Sequence, residues 1–134
     1  GYGFMPAELS DAIDRIREPF NTNALAHAAA IAALDDIDHL RNTLDTNRMA
    51  INRINLILSR YGATTTETHA NFVWARFDEP TAPMVDALAK YGVFVRGGAM
   101  FGRPNSIRVS MGTENDLDLL ENAMATVTTG AQSR

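Results

Sequence analysis

The pattern of apolar residues changes at Gly62, and this change limits what the chain can fold into more than any other feature. Before Gly62, apolar residues return every three or four positions, which is the spacing of amphipathic helices. After it, β-branched and aromatic residues form short runs, which is typical of strands. We therefore predict an α+β fold, in which long helices come first and a small sheet with covering helices follows.

Three helices are predicted before Gly62. In the first, Leu9, Ile13 and Ile16 have helical spacing behind a proline at the first turn. The second is alanine-rich and apolar on all sides, so we expect it to be buried against another surface. The third is long and amphipathic, and a glycine closes it. The predicted helices cover residues 6–17, 24–34 and 36–61.

The rest of the chain is predicted to form strands and two further helices. The last helix starts at a capping pair, in which Thr113 is the N-cap and Asp116 lies three residues on. Strands joined by the glycine-containing loop 97–105 can pair directly, so a small antiparallel or mixed sheet with helices on one face is the simplest assembly. The predicted strands cover residues 64–66, 71–77, 93–96 and 107–111, and the helices cover residues 84–91 and 114–127.

Composition excludes several classes of protein. With 46% hydrophobic and 21% charged residues among 134, the chain is typical of a globular domain. A net charge of −4 argues against a surface that binds nucleic acid or an anionic membrane, because such a surface needs an excess of Lys and Arg. The longest apolar run, residues 28–34, is far too short to span a bilayer. The absence of cysteine suits a cytoplasmic protein and removes disulfides, thiolate zinc sites and cysteine nucleophiles.

Familiar catalytic, metal and cofactor motifs are absent from the sequence. His27, His39 and His69 lie in three separate predicted elements without a second ligand at helical or strand spacing, so no metal site is predicted. No Gly-x-Ser-x-Gly turn exposes a serine nucleophile, and no phosphate loop of the Walker type is present. The only lysine, Lys90, lies at a predicted helix end, where a solvated cation is ordinary.

Arg96 and Arg108 are the candidates for ligand binding. Each lies in an apolar run that is predicted to be a strand, and a glycine-containing loop joins the two runs. Two guanidinium groups on neighbouring strands can hold one carboxylate or phosphate, because each forms two parallel hydrogen bonds with it. The alternative is structural: each arginine pairs with an Asp or Glu of a covering helix, and the spacing alone favours this alternative.

Four segments of the chain carry a resemblance to a known family. They read IREPFNTN at 16–23, NFVW at 71–74, GVFVR at 92–96 and IRVSMGTEN at 107–115. In this order they resemble the C-terminal part of histidinol-phosphate aminotransferases, which are class I/II pyridoxal-phosphate enzymes of fold type I. Because the resemblance covers nearly the whole chain, we expect the chain to be a C-terminal fragment of such an enzyme.

The resemblance implies a place for each part of the chain in an α/β parent. It assigns residues 1–35 to the large cofactor-binding domain and residues 36–134 to the small C-terminal domain. It implies that Arg108 receives the acidic end of a phosphorylated or carboxylated amino substrate, with Arg96 as a second arginine of the same pocket. The implied parent is a cytoplasmic homodimer of histidine biosynthesis that transfers an amino group between histidinol phosphate and 2-oxoglutarate.

The family's cofactor-binding residues are the point at which this sequence departs from the pattern. The resemblance places the lysine that binds pyridoxal phosphate, the aspartate that pairs with its pyridine nitrogen and the phosphate-cup residues upstream of Gly1. We therefore expect the chain alone to hold no cofactor and no catalytic residue, and to be inactive without the missing large domain. Two alternatives stay open: a non-catalytic association module, or the same domain of an aromatic amino acid aminotransferase or threonine-phosphate decarboxylase.

Overall fold

The computed structural model describes residues 3–131 and confirms the predicted order of elements. Helices begin and end within two residues of their predicted limits, except the last, which continues to Ala131. None of the helices in this range is both long enough and apolar enough to cross a membrane. The helices are α1 (Ala7–Ile16), α2 (Ala24–Asp35), α3 (Ile37–Ser59), α4 (Ala82–Ala89) and α5 (Glu114–Ala131), and the strands are β1 (Thr64–Thr65), β2 (Phe72–Arg76), β3 (Arg96–Gly97) and β4 (Ser106–Ser110).

Backbone contacts divide the chain into two units between Leu40 and Arg41. In the N-terminal unit, α2 begins where the Asn23 side chain accepts a hydrogen bond of 2.8 Å from the backbone of the first turn. No described residue of this unit is buried, and Leu25 and Ile31 of α2 are 83% and 67% exposed. The unit itself therefore does not provide the burial expected for this apolar helix. The domain boundary that the resemblance implies stays a prediction.

The C-terminal unit is built on a four-stranded antiparallel sheet in the order β1-β2-β4-β3. Strand β1 lies at one edge of the sheet. Strands β2 and β4 pair over their full length, and their alternate residues are buried on one face. That face packs against α3, α4 and α5, which confirms a sheet with covering helices. Fully buried side chains of this core include Ile54, Val73, Leu88, Ile107 and Met124.

Strand β3 is shorter than predicted and is shifted along the chain. It comprises Arg96–Gly97, whereas the sequence predicted residues 93–96. The reason lies at the end of α4, where the N–H of Val93 donates to the carbonyl of Leu88 at 3.1 Å and Gly92 adopts a φ of +79°. This closing turn engages the backbone just before β3. Val93 is thereby tied to α4 instead of β4. Residues 93–95 form no ladder with β4 in the described structure, and an open cavity of about 300 Å³ lies beside them.

The loop between β3 and β4 is tightly closed. Gly98 donates its N–H to the carbonyl of Ser106 at 2.7 Å, and its own carbonyl accepts from the N–H of Arg103 at 3.0 Å. A Cβ atom on Gly98 would lie 2.4 Å from the carbonyl oxygen of Arg103, so only glycine fits without a backbone shift. The buried hydroxyl of Thr81 lies 3.1 and 2.9 Å from the carbonyl oxygens of Pro104 and Ser106. These contacts fix how β3 pairs with β4.

Helix α5 is held at its start and along its length. The predicted cap is confirmed: the N–H of Asp116 donates to the Thr113 hydroxyl at 3.3 Å, and the N–H of Thr113 donates to the Asp116 carboxylate at 2.8 Å. The hydroxyl and backbone bonds from Thr113 lower the pKa of Asp116. Arg53 lies in α3, and Arg60 directly follows that helix. Hydrogen bonds from these two guanidinium groups lower the pKa of Glu121, which lies in α5.

Candidate functional site

The face of the sheet opposite the core carries arginine and aromatic side chains. Alternation along β2 and β4 places the half-buried residues Phe72, Trp74 and Arg108 on this face. In β3, Arg96 is the Cα partner of Arg108, and directly opposed residues share a face. The strand register therefore gathers two arginines and two aromatic residues into one patch, which we call the arginine–aromatic face.

Arg96 and Arg108 lie directly opposite each other across the β3–β4 ladder. Directly opposed residues have Cβ atoms about 5 Å apart, and opposed like charges are destabilising. Within residues 3–131, neither guanidinium forms an ion pair with an acidic side chain. The structural alternative, in which each arginine pairs with an acid of a covering helix, is therefore wrong for the described residues. The reason is that the helices pack on the other face of the sheet.

Arg108 is half-buried, and one of its donors lacks an acceptor. Its guanidinium carbon lies 5.2 Å from the centre of the Phe72 ring, which is within cation–π range. Its Nε atom is buried and has no hydrogen-bond partner among the described residues. A buried donor without an acceptor costs about 1–3 kcal/mol.

An open groove of about 550 Å³ runs beside the two arginines, and we call it the arginine groove. Its volume falls within the range of about 300–1,000 Å³ that small-molecule sites occupy. Gly97 and Ser110 line it together with the two guanidinium-bearing residues. Phe94 and Met100, which are 84% and 70% exposed, form an apolar rim. Such a lining suits a small anion with an apolar body.

The other residues considered from the sequence lie outside this groove. Lys90 is exposed at the C-terminal end of α4 and does not line the groove. His27 lies in α2, His39 in α3 and His69 in the connection between β1 and β2. Over residues 3–131, no three His, Asp or Glu side chains come together in the way that metal ligands do.

Sequence reasoning missed the contact between Phe72 and Arg108. The two-residue spacing of Phe72 and Trp74 shows only that they share a face of one strand. Their relation to Arg108 depends on the β2–β4 register, in which Trp74 opposes Arg108 and Phe72 opposes Ser110. Phe72 is thus diagonal to Arg108, at a distance that aromatic and long side chains can bridge. Only a reliable prediction of the β2–β4 register could have revealed this contact.

Comparison with known proteins shows which family the chain resembles. The sequence profile of the family described as aminotransferase class I and II matches residues 1–124. Histidinol-phosphate aminotransferase 1 of Mannheimia succiniciproducens is 36% identical over 124 residues, and histidinol-phosphate aminotransferase 2 of Carboxydothermus hydrogenoformans is 39% identical over 113 residues. These matches cover 92% and 84% of this chain but 34% and 31% of the relatives, so the chain spans about a third of their length.

Solved structures share the fold. The histidinol-phosphate aminotransferase from Sinorhizobium meliloti, in complex with pyridoxal-5'-phosphate, is 28% identical with a TM-score of 0.84, over 92% of this chain and 35% of that one. The histidinol-phosphate aminotransferase from Clostridium acetobutylicum has a TM-score of 0.82 at 23% identity, over 92% of this chain and 38% of that one, which shows the fold alone. Because the family profile matches most of its length and the fold agrees, this chain belongs to the aminotransferase class I and II family.

Proposed function

We propose that this chain is the substrate-binding part of a histidinol-phosphate-type transaminase, in which Arg96 and Arg108 bind the phosphate of the amino substrate. The observation that carries the proposal is that Arg96 and Arg108 are direct cross-strand partners and that neither has an acidic partner within residues 3–131. The similarity to histidinol-phosphate aminotransferases supports the same substrate class. In this proposal residues 1–35 belong to the large domain and residues 36–134 to the small one.

A phosphate monoester suits two opposed arginines better than a carboxylate does. It carries a charge of about −1.5 to −2 at neutral pH and three strong acceptor oxygens, which is enough to neutralise both cations. Each guanidinium presents a planar fork that matches two of these oxygens. Binding would replace the repulsion between Arg96 and Arg108 with two attractions.

The arginine pair contributes to the reaction by orientation. A substrate anchored at its phosphate keeps its amino group within a short, limited distance of the anchor, and this restriction lowers the entropic part of the barrier. The pair is assigned no proton transfer, because guanidinium groups stay protonated in proteins. The proposed reaction of the whole enzyme is amino-group transfer between histidinol phosphate and 2-oxoglutarate, as part of histidine biosynthesis.

Pyridoxal phosphate is the cofactor that the relative from Sinorhizobium meliloti contains, and it supplies the electron sink for amino-group transfer when bound. The described residues of this chain do not fit a site for it. The only lysine, Lys90, is exposed at the end of α4 and does not line the arginine groove. We therefore assign this chain the substrate anchor and not the cofactor site. The proposed assembly is a cytoplasmic homodimer that includes a large domain.

A titration of the full chain with inorganic phosphate tests the anion site. Nε–Hε signals in NMR spectra report on each guanidinium separately. We expect the signals of Arg96 and Arg108 to shift with phosphate and not with chloride of equal ionic strength. A variant with both Arg96→Gln and Arg108→Gln should lose phosphate binding. Arg48→Gln, which removes an exposed arginine of α3, should keep it. Wild-type signals that do not move, or a double variant that binds equally well, contradict the proposal.

A non-catalytic association module is the second candidate, and the exposed apolar side chains of the N-terminal unit favour it. It predicts association of the chain without phosphate binding. Ligand competition separates the related branches of the family. Displacement of phosphate by an aromatic carboxylate favours an aromatic amino acid aminotransferase, and tighter binding of phosphothreonine than of histidinol phosphate favours a threonine-phosphate decarboxylase.

A further inference from the structure

We propose that Phe72 is a positioning residue for Arg108: its ring orients the guanidinium beside the arginine groove without occupying any of its N–H donors. The inference rests on the proposed anion site and deepens it. Two observations on the same side chain carry it. The guanidinium carbon lies 5.2 Å from the centre of the Phe72 ring, and the Nε atom of that guanidinium is buried without a partner among the described residues.

The contrast with Arg53 in the same unit shows what the ring achieves. The Arg53 guanidinium donates to three acidic side chains of α5, at distances of 2.6, 2.5 and 3.2 Å. Those ion pairs orient the side chain but occupy the donors that could bind an anion. An aromatic ring attracts a cation through its face and accepts no in-plane N–H bond. Phe72 can therefore hold Arg108 in place and leave its fork free.

The strand register explains why Phe72 makes this contact. Arg108 has Trp74 directly opposite on one side and Arg96 directly opposite on the other. The ring of Trp74 packs edge-on with Phe101, with the ring centres 5.9 Å apart. Arg96 carries the same charge as Arg108 and therefore repels its guanidinium group. The diagonal position of Phe72, opposite Ser110, is where the Arg108 guanidinium meets a ring, and Ser110 itself lines the arginine groove.

A pre-oriented arginine binds an anion more tightly, because less side-chain entropy is lost on binding. Phe72→Leu keeps an apolar side chain and removes the ring. We expect the dissociation constant of the full chain for inorganic phosphate to rise about three- to tenfold, as the loss of a cation–π contact implies. Phe72→Tyr keeps the ring and should bind phosphate within about twofold of wild type. Phe101→Leu is the matched control, since it makes the same change at the ring that contacts Trp74, and it should leave phosphate affinity unchanged.

A second measurement needs no ligand. In the free chain, the Phe72 ring should shift the Arg108 side-chain protons upfield in NMR spectra, and Phe72→Leu should abolish that shift. If phosphate does not bind wild type, the proposed function fails, and the ring shift alone decides whether Phe72 orients Arg108. Two results overturn the inference: unshifted Arg108 protons in wild type, or a Phe72→Leu variant whose melting temperature falls while its phosphate affinity is unchanged.

Discussion

Single residues decide whether the arginine–aromatic face is a binding site or only a feature of the fold. Arg108→Lys keeps the charge and loses the planar fork, so we expect the dissociation constant for phosphate to rise roughly 10- to 100-fold. Arg96→Lys should act in the same direction and less strongly, because the Arg96 side chain is exposed. The double variant should show less than the product of the two effects, since one phosphate relaxes toward whichever fork remains. A lowered melting temperature with unchanged affinity would indicate a structural role instead. Calorimetry on the four proteins measures both quantities.

Asp116 predicts how stability depends on pH. Hydrogen bonds from Thr113 lower its pKa below the ordinary value of 3.8. A carboxylate with a depressed pKa in the folded state contributes stability that is present above its unfolded pKa and is lost as pH falls through its folded pKa. We therefore expect Asp116→Asn to lower the urea midpoint at pH 7 and to weaken its decline below about pH 4. Asp86→Asn removes the same charge at an exposed position of α4 and is the control, which should leave the urea midpoint at pH 7 unchanged.

At the scale of elements, local signals predict the helices well and the strand nearest the groove poorly. Caps such as Asn23 and Thr113 act within a few residues, so the starts of α2 and α5 are readable from sequence. Strand β3 is different, because the hydrogen bond from Val93 to Leu88 belongs to the end of α4 and an apolar run cannot reveal it. The same limit applies to Phe72, whose contact with Arg108 exists only in one register.

The closed loop between β3 and β4 gives an element-scale prediction. In Gly98→Ala the new Cβ would lie 2.4 Å from the carbonyl oxygen of Arg103 and 2.9 Å from that of Ser106, so the backbone must move. We expect a loss of roughly 1–3 kcal/mol, or about 4–12 °C in melting temperature, together with weaker phosphate binding. Gly97→Ala is the matched control, because its Cβ would lie 3.7 Å from the side chain of Val85, an ordinary contact. Equal melting temperatures for the two variants would contradict this account.

At the scale of the whole molecule, the N-terminal unit predicts association. Its apolar side chains are exposed, and contiguous exposed apolar surface marks an interaction site. We expect sedimentation of the chain to show dimers or larger species, and Leu25→Glu with Ile31→Glu to shift them toward monomer. Asn42→Glu with Thr46→Glu adds the same two charges at exposed positions of α3 and should not. A wild-type monomer over a wide concentration range would contradict the prediction.

The chain as a whole is also predicted to have no transaminase activity. Lys90 is its only lysine, and it is exposed at the end of α4 rather than beside the arginine groove. Incubation with pyridoxal phosphate followed by borohydride reduction should therefore give no stoichiometric label, and transaminase assays should show no turnover. A specific label on Lys90 accompanied by turnover would overturn this prediction, and mass spectrometry of the reduced protein detects it.

The sheet has two edge strands, β1 and β3, and each is only two residues long. Unpaired N–H and carbonyl groups along an edge are the template on which foreign strands add and fibrils grow, and natural proteins guard against this with very short edge strands. The two-residue edge strands of this sheet expose few such unpaired groups. When the chain associates through its apolar helices, the assemblies should therefore keep native secondary structure, bind no amyloid dye and dissolve on dilution.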